Sequence, residues 1–175
     1  INVQAGERIL ITGASGGVGS AAVQLAKRRG AEVIAMAADA KADSVRGLGA
    51  SQVIPRDANL LSLFEQEYVD AAVDIVGGAQ FGDILNVLKR GGRYGVSGAI
   101  SGPVVDLDLR TLYLKDLRLI GCTVLEPEVF ANLVSYIENG EIRPVVAATY
   151  DLSDIVKAQE AFLTKQHVGK IVLSL

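Results

Sequence analysis

Apolar residues fall along this chain in short unbroken runs, set between stretches whose apolar positions recur with a helical period. Ile9-Leu10-Ile11, Val33-Ile34-Ala35-Met36-Ala37 and Ala71-Ala72-Val73 show no polar alternation, the mark of strands covered on both faces. The runs predict strands over 8–12, 32–37, 52–54, 71–76, 93–96 and 117–124. The stretches between predict helices over 18–29, 40–48, 60–67, 81–89, 109–115 and 127–139. Gly30, Gly49, Gly77-Gly78, Gly91-Gly92 and Gly140 punctuate the pattern, as helix stops and turns require. Lys27, Arg28 and Arg29 sit where a helix dipole is negative, and Pro127 opens the last of these helices as Gly140 closes it. Residues 97–103 read as a loose loop.

Strands alternating with helices at this spacing predict an α/β fold: a Rossmann doubly wound parallel six-stranded sheet, order 3-2-1-4-5-6. Such a sheet takes its ligand at the carboxyl ends of strands 1 and 4, where the order reverses. Residues 145–150, 153–165 and 170–175 then read as a strand-helix-strand appendage, with Asp151 or Ser153 able to cap its helix. The expected division is 1–144 for the sheet and 145–175 for a segment belonging with something further.

Composition narrows the function. The chain has 175 residues, half of them apolar, with 17 Lys plus Arg against 20 Asp plus Glu and a net charge of −3. No basic stripe supports nucleic-acid binding, and no apolar run is long enough for a membrane span. No leader with a basic start and an apolar centre opens the chain. One cysteine excludes an internal disulfide and fits a reducing, cytoplasmic compartment. The chain starts at Ile1 rather than Met, which points to a piece of a longer protein.

The chemistry concentrates where the first strand meets its helix, in Thr12-Gly13-Ala14-Ser15-Gly16-Gly17-Val18-Gly19. A strand, a glycine-rich turn and a helix bring bare amides to the positive end of a helix dipole, where a pyrophosphate can rest. Ala14, Gly16 and Gly19 occupy the three positions of a G-x-G-x-x-G pattern. Gly16 lets backbone approach phosphate, Gly19 lets helix approach strand, and Ala14 asks for negative φ. In NAD-binding folds an acidic residue closing strand 2 takes the ribose hydroxyls. Here Ala37 holds that position, with Ala38, Asp39 and Lys41 following. A missing carboxylate and a nearby cation favour NADP over NAD, unless Asp39 reaches the ribose.

The turn also satisfies T-G-x-x-x-G-x-G, the motif of short-chain dehydrogenases, which need a lysine four residues past a tyrosine. Tyr68, Tyr94, Tyr113, Tyr136 and Tyr150 are followed at that spacing by Ala72, Gly98, Leu117, Gly140 and Asp154, so that reading fails. The chain instead resembles the medium-chain dehydrogenase/reductase superfamily, in particular its quinone oxidoreductase-like members. The resemblance rests on Ala5-Gly6-Glu7-Arg8 leading into the glycine turn, Gln24-Leu25-Ala26-Lys27, Val73-Asp74-Ile75-Val76-Gly77-Gly78, Leu88-Lys89-Arg90-Gly91-Gly92-Arg93, Leu114-Lys115-Asp116-Leu117 and Gly169-Lys170-Ile171-Val172-Leu173.

The resemblance implies the nucleotide-binding half of an NADPH-dependent oxidoreductase that passes hydride to a quinone, an enone or a related carbonyl acceptor. It implies a GroES-like catalytic domain outside this chain, to which 145–175 would return, and a homodimer joined through strand 6. By resemblance Val76, Gly77, Gly78, Ser97 and Gly98 border the nicotinamide, and Cys122, Thr123 and Val124 face its carboxamide. The adenosine ribose would lie against the turn from Ala37 through Asp39 and against Lys41.

No catalytic acid or base is expected in this chain, since the cofactor carries the hard chemistry. His167, the only histidine, reads as an exposed loop residue, and Cys122 as a small core hydrophobe in a buried strand. One Cys and one His build no closed zinc site, although alcohol dehydrogenases of the same superfamily use zinc and remain an alternative. Asp74, inside an apolar run, needs hydrogen-bond partners if buried. A non-catalytic nucleotide sensor and a methyltransferase are the remaining rivals. The appendage speaks against the first, and Ala37 in place of an acid against the second.

Overall fold

The computed structural model describes residues 1–123 and 126–175. Among the described residues eight strands form, β1 Arg8–Ile11, β2 Glu32–Ala37, β3 Gln52–Pro55, β4 Val69–Asp74, β5 Leu88–Val96, β6 Arg118–Gly121, β7 Val146–Asp151 and β8 Lys170–Ser174. Seven α-helices accompany them, α1 Gly17–Arg28, α2 Ala42–Gly47, α3 Leu60–Leu63, α4 Phe81–Val87, α5 Leu109–Leu114, α6 Pro127–Glu138 and α7 Ile155–Leu163. The first six strands make one parallel sheet in the order β3-β2-β1-β4-β5-β6, as expected.

Side-chain alternation divides the sheet into two cores. Ile9, Ile11, Val33 and Ala35 face Val23 and Ala26 of α1 and Val45 of α2. Leu10, Ile34 and Met36 face the other way, against Leu60 of α3 and Ile84 and Leu85 of α4. Ile9, Leu10, Ile11, Val33 and Ile34 are at most 1% exposed, each contributing about 1.5–3 kcal/mol of burial free energy. The in-register pairs Leu10↔Ile34 and Ile11↔Val73 hold β1 between β2 and β4.

Several boundaries move from the sequence expectation, each for a local reason. The second helix starts as a 3-10 turn over Asp39–Lys41. The third is one turn, capped by the Asn59 side chain on the Ser62 amide, because Phe64 becomes extended and Glu67 takes φ +60°. The fourth ends at Val87, where Leu88 turns extended and pairs with Val69. β5 therefore runs through Gly91-Gly92, which the apolar pattern reads as a break. At Gly92 a Cβ would stand 2.6 Å from the Lys89 carbonyl, so the bend there needs glycine. β6 stops at Gly121; of its expected span, Val124 lies outside the described residues.

The C-terminal strand-helix-strand unit is present, and it stands apart from the main sheet. Among the described residues β7 and β8 pair only with each other, in parallel, and α7 crosses between them. Just ahead of β7, the segment after α6 is held to α1: Gln24 donates to the Arg143 carbonyl and accepts from its amide, and Arg28 pairs with Glu141 at 2.7 Å.

Candidate functional site

The carboxyl ends of β1 and β4 meet at Asp74, which is 1% exposed. The Thr12 hydroxyl donates to Oδ1 at 2.6 Å, the amides of Val76 and Gly77 donate to the same oxygen at 2.9 and 3.0 Å, and the Tyr94 hydroxyl donates to Oδ2. The Ile75 amide in turn donates to Thr12 Oγ1 at 2.9 Å. Burial, followed by the Asp74 hydrogen bond and charge, pushes the Tyr94 phenol far above its ordinary range, so it stays a donor. A buried carboxylate is tolerable only with such a set of partners. Asp74 thus ties β1, β4 and β5 together beneath the switch point. The apolar run around it gave the sequence signal: a carboxylate there had to be satisfied internally.

Above Asp74 lies the glycine turn. Gly13 takes φ +58°, and Ala14, with ordinary φ, is fully buried and donates its amide to the Met36 carbonyl. At Gly19 a Cβ would stand 2.1 Å from the Gly13 carbonyl and 2.7 Å from Ala14 Cα, so close strand-to-helix packing demands glycine. Gly16 differs. It is exposed, extended at φ −76°, and a Cβ there would meet only the Gly13 carbonyl at 3.4 Å. The protein itself leaves that space open. The first amides of α1, on Gly17, Val18 and Gly19, have no acceptor inside the helix, and no side chain caps it. Ser15 is half-buried, and its carbonyl accepts the Gly169 amide at 2.9 Å.

Val76, Gly77 and Gly78 continue from Asp74 into a left-handed turn, with φ +65° and +77° at the two glycines. A Cβ on Gly77 would stand 3.1 Å from Ala99 Cα, and one on Gly98 2.6 Å from the Ile75 carbonyl. The β4 and β5 ends are therefore in tight contact, with the Ser97 amide bonded to the Asp74 carbonyl and the Ser101 amide to that of Val76. Cys122 and Thr123 follow β6 rather than lying in it. Cys122 is half-buried, not a core residue, and its amide donates to the Val96 carbonyl. These segments line one continuous rim across the carboxyl ends of β1, β4, β5 and β6.

At the far end, Ala37, Ala38, Asp39, Pro55, Arg56 and Asp57 line a shallow cavity of about 200 Å³. Lys41 stands beside it but points elsewhere: its Nζ donates to the carbonyls of Lys165 and His167 at 2.6 and 2.8 Å. Burial, then the nearby charges of Arg56 and Lys165, lower its pKa. Lys170 Nζ donates to the Gly17 carbonyl at 2.8 Å. The segment from 165 to 170 thus lies across the glycine turn as a strap, which periodicity had no means of showing. His167, expected exposed, is half-buried in it. Its Nδ1 is buried without a partner among the described residues, and burial followed by the charges of Lys41 and Lys165 lowers its pKa.

Among the described residues no three His, Cys, Asp or Glu side chains converge as metal donors. No helix among them is long and apolar enough to cross a membrane.

Fold and rim define a Rossmann-type doubly wound domain with a glycine-rich turn at the switch point. The family model for zinc-binding dehydrogenases matches residues 17–139. The chain belongs to that family, within the medium-chain dehydrogenase/reductase superfamily. An acryloyl-coenzyme A reductase from Metallosphaera sedula is 35% identical over 175 residues, covering 99% of this chain and 52% of its own length. A solved Sinorhizobium meliloti 1021 structure, provisionally described as an alcohol dehydrogenase, superposes with TM-score 0.91 at 45% identity, over 98% of this chain and 50% of that one. A 2-octenoyl-CoA carboxylase reductase solved with NADP and 2-octenoyl-CoA gives TM-score 0.87 at 27% identity, over 98% and 44%. The chain spans about half the length of the relatives it matches. The zinc in the family's name finds no donor set among the described residues.

Proposed function

We propose that this chain is the nucleotide-binding half of an NADPH-dependent oxidoreductase that delivers hydride to an activated double bond, in an enone, an enoyl thioester or a quinone. The observation that carries this reading is the open position at Gly16, above three uncapped amides at the start of α1. A dinucleotide pyrophosphate accepts from such amides, and the helix dipole favours its charge. Thr12, Gly13, Ala14, Ser15, Gly16, Gly17, Val18 and Gly19 form the cradle. Val76, Gly77, Gly78, Ser97 and Gly98 border the nicotinamide, and Cys122 and Thr123 stand at the end of that rim. The nicotinamide, when bound, supplies the hydride. The protein's part is to fix the ring's position through Asp74 and the two glycine turns. The names of an acryloyl-CoA reductase and a 2-octenoyl-CoA carboxylase reductase among the relatives support an unsaturated carbonyl substrate.

The substrate pocket and any acid or base would come from a catalytic domain outside this chain. The β7–β8 unit supports that division, with Val156 and Leu163 exposed on α7 at 63% and 70%. A homodimer would form through β6, an unpaired sheet edge, beside α6, which exposes Phe130 and Val134. A cytoplasmic location suits the unpaired Cys122.

The test is calorimetric titration of the chain with NADPH. Micromolar binding that falls at least about tenfold in Gly16→Val, with the fold intact by circular dichroism, supports the reading. Unchanged affinity in that variant would sink it.

A further inference from the structure

We propose that Tyr94 is a positioning residue for the nicotinamide half of the site: it braces, from behind and at both ends, the turn that leads from β4 into α4. This role rests on the nucleotide-binding reading above and gives the nicotinamide half a control separate from the phosphate half.

Tyr94 lies in β5 and is 4% exposed. Its hydroxyl donates to Asp74 Oδ2, and its ring meets the Phe81 ring edge-on, with centroids 5.3 Å apart and planes at 86°. Asp74 ends β4 and Phe81 opens α4. Val76, Gly77 and Gly78 lie between them, the part of the rim proposed to border the nicotinamide. One buried side chain thus touches the residue before this turn and the residue after it. An edge-to-face ring pair and a hydrogen bond to a carboxylate are both directional, so the brace sets angle as well as distance.

The two oxygens of Asp74 carry unequal loads. Oδ1 accepts from the Thr12 hydroxyl and from the amides of Val76 and Gly77. Oδ2 has the Tyr94 hydroxyl as its one partner among the described residues. Without that hydroxyl a buried carboxylate oxygen stands unsatisfied. Turning the carboxylate to satisfy it draws Oδ1 off the two amides that open the left-handed turn at Gly77 and Gly78.

The glycine turn between β1 and α1 is held by other means. The Ala14 amide bonds to the Met36 carbonyl, the Gly169 amide to the Ser15 carbonyl, and the Thr12 amide to the Val73 carbonyl. None of these passes through Tyr94. Loss of the Tyr94 hydroxyl therefore displaces the nicotinamide and spares the diphosphate.

The experiment titrates the chain and its Tyr94→Phe and Phe81→Leu variants with NADPH and with 2′-phospho-ADP-ribose, which lacks the nicotinamide, while NMR follows the Val76 and Gly77 amides. Wild-type chain should bind NADPH the more tightly, and NADPH alone should shift those two amides. Tyr94→Phe keeps the ring against Phe81. It should weaken NADPH about fivefold or more and leave the nicotinamide-free ligand within about twofold. Phe81→Leu keeps the hydroxyl on Asp74 and should lower the same affinity ratio about twofold or more. General loosening of the fold would weaken both ligands and leave the ratio alone. An unchanged ratio in either variant, folded by circular dichroism, overturns the assignment, whether both ligands weaken together or neither does. So does a wild-type chain that binds the two ligands alike, because the nicotinamide would then lie clear of the rim. A wild-type chain that binds neither ligand overturns the nucleotide-binding reading itself, and this role with it.

Discussion

The six-stranded sheet and the β7–β8 unit are built from similar apolar residues, yet they stand in opposite relation to water. β1 and the inner part of β2 are at most 3% exposed, apart from Arg8 and Glu32 at their starts. In the C-terminal unit Val146, Val156, Phe162 and Leu163 are between 48% and 70% exposed; of the residues on α7, only Ala158 is buried. Scattered surface apolar residues are ordinary; apolar exposure concentrated in one unit is not. The sheet's stability is thus internal, while the strap's rests on Lys41, Lys170 and Gly169. The glycine turn lies between them, packed from below and strapped from the side.

The contrast can be broken at several points. Leu10→Ala should cost most, about 2–5 kcal/mol, because it empties a fully enclosed site; urea unfolding measures it. Asp74→Ala should cost roughly 3 kcal/mol by stranding the hydroxyls of Thr12 and Tyr94 and the amides of Val76 and Gly77. Its midpoint should fall together with that of any probe on β1, β4 or β5. Acid should act on the strap next. His167 has a pKa lowered by burial, so the unfolded state binds its proton first. Stability from neutral His167 is present above the unfolded value of about 6.5 and declines as pH falls through and below it. Amide exchange at Gly169 should therefore quicken below that pH, and His167→Gln should remove the change. Smallest of all, Val156→Ser should shift stability by no more than about 0.5 kcal/mol. A loss like that of Leu10→Ala would mean the unit is already a closed core.

How much was legible in the sequence follows the same division. The alternation of strands with helices carries the sheet order, and the unbroken apolar runs carry its burial on both faces. The need for a glycine at 19 and a partnered carboxylate at Asp74 also followed from local pattern. Helix ends did not, since Leu88 and Glu67 take their conformations from strand pairing and a left-handed turn. The engagement of Lys41 was hidden for a further reason: its partners are carbonyls 124 and 126 residues away, and backbone oxygens carry no sequence signature. Cys122 looked like a strand residue because nothing in its neighbours announces that β6 ends at Gly121.

In the proposed function the uncapped start of α1 is the phosphate cradle of a dinucleotide. NMR can follow the backbone amide signals of Gly16, Gly17, Val18 and Gly19 during NADPH titration. These four should move first and furthest, saturating together with the calorimetric isotherm. If NADPH binds while they stay where they were, the cradle lies elsewhere.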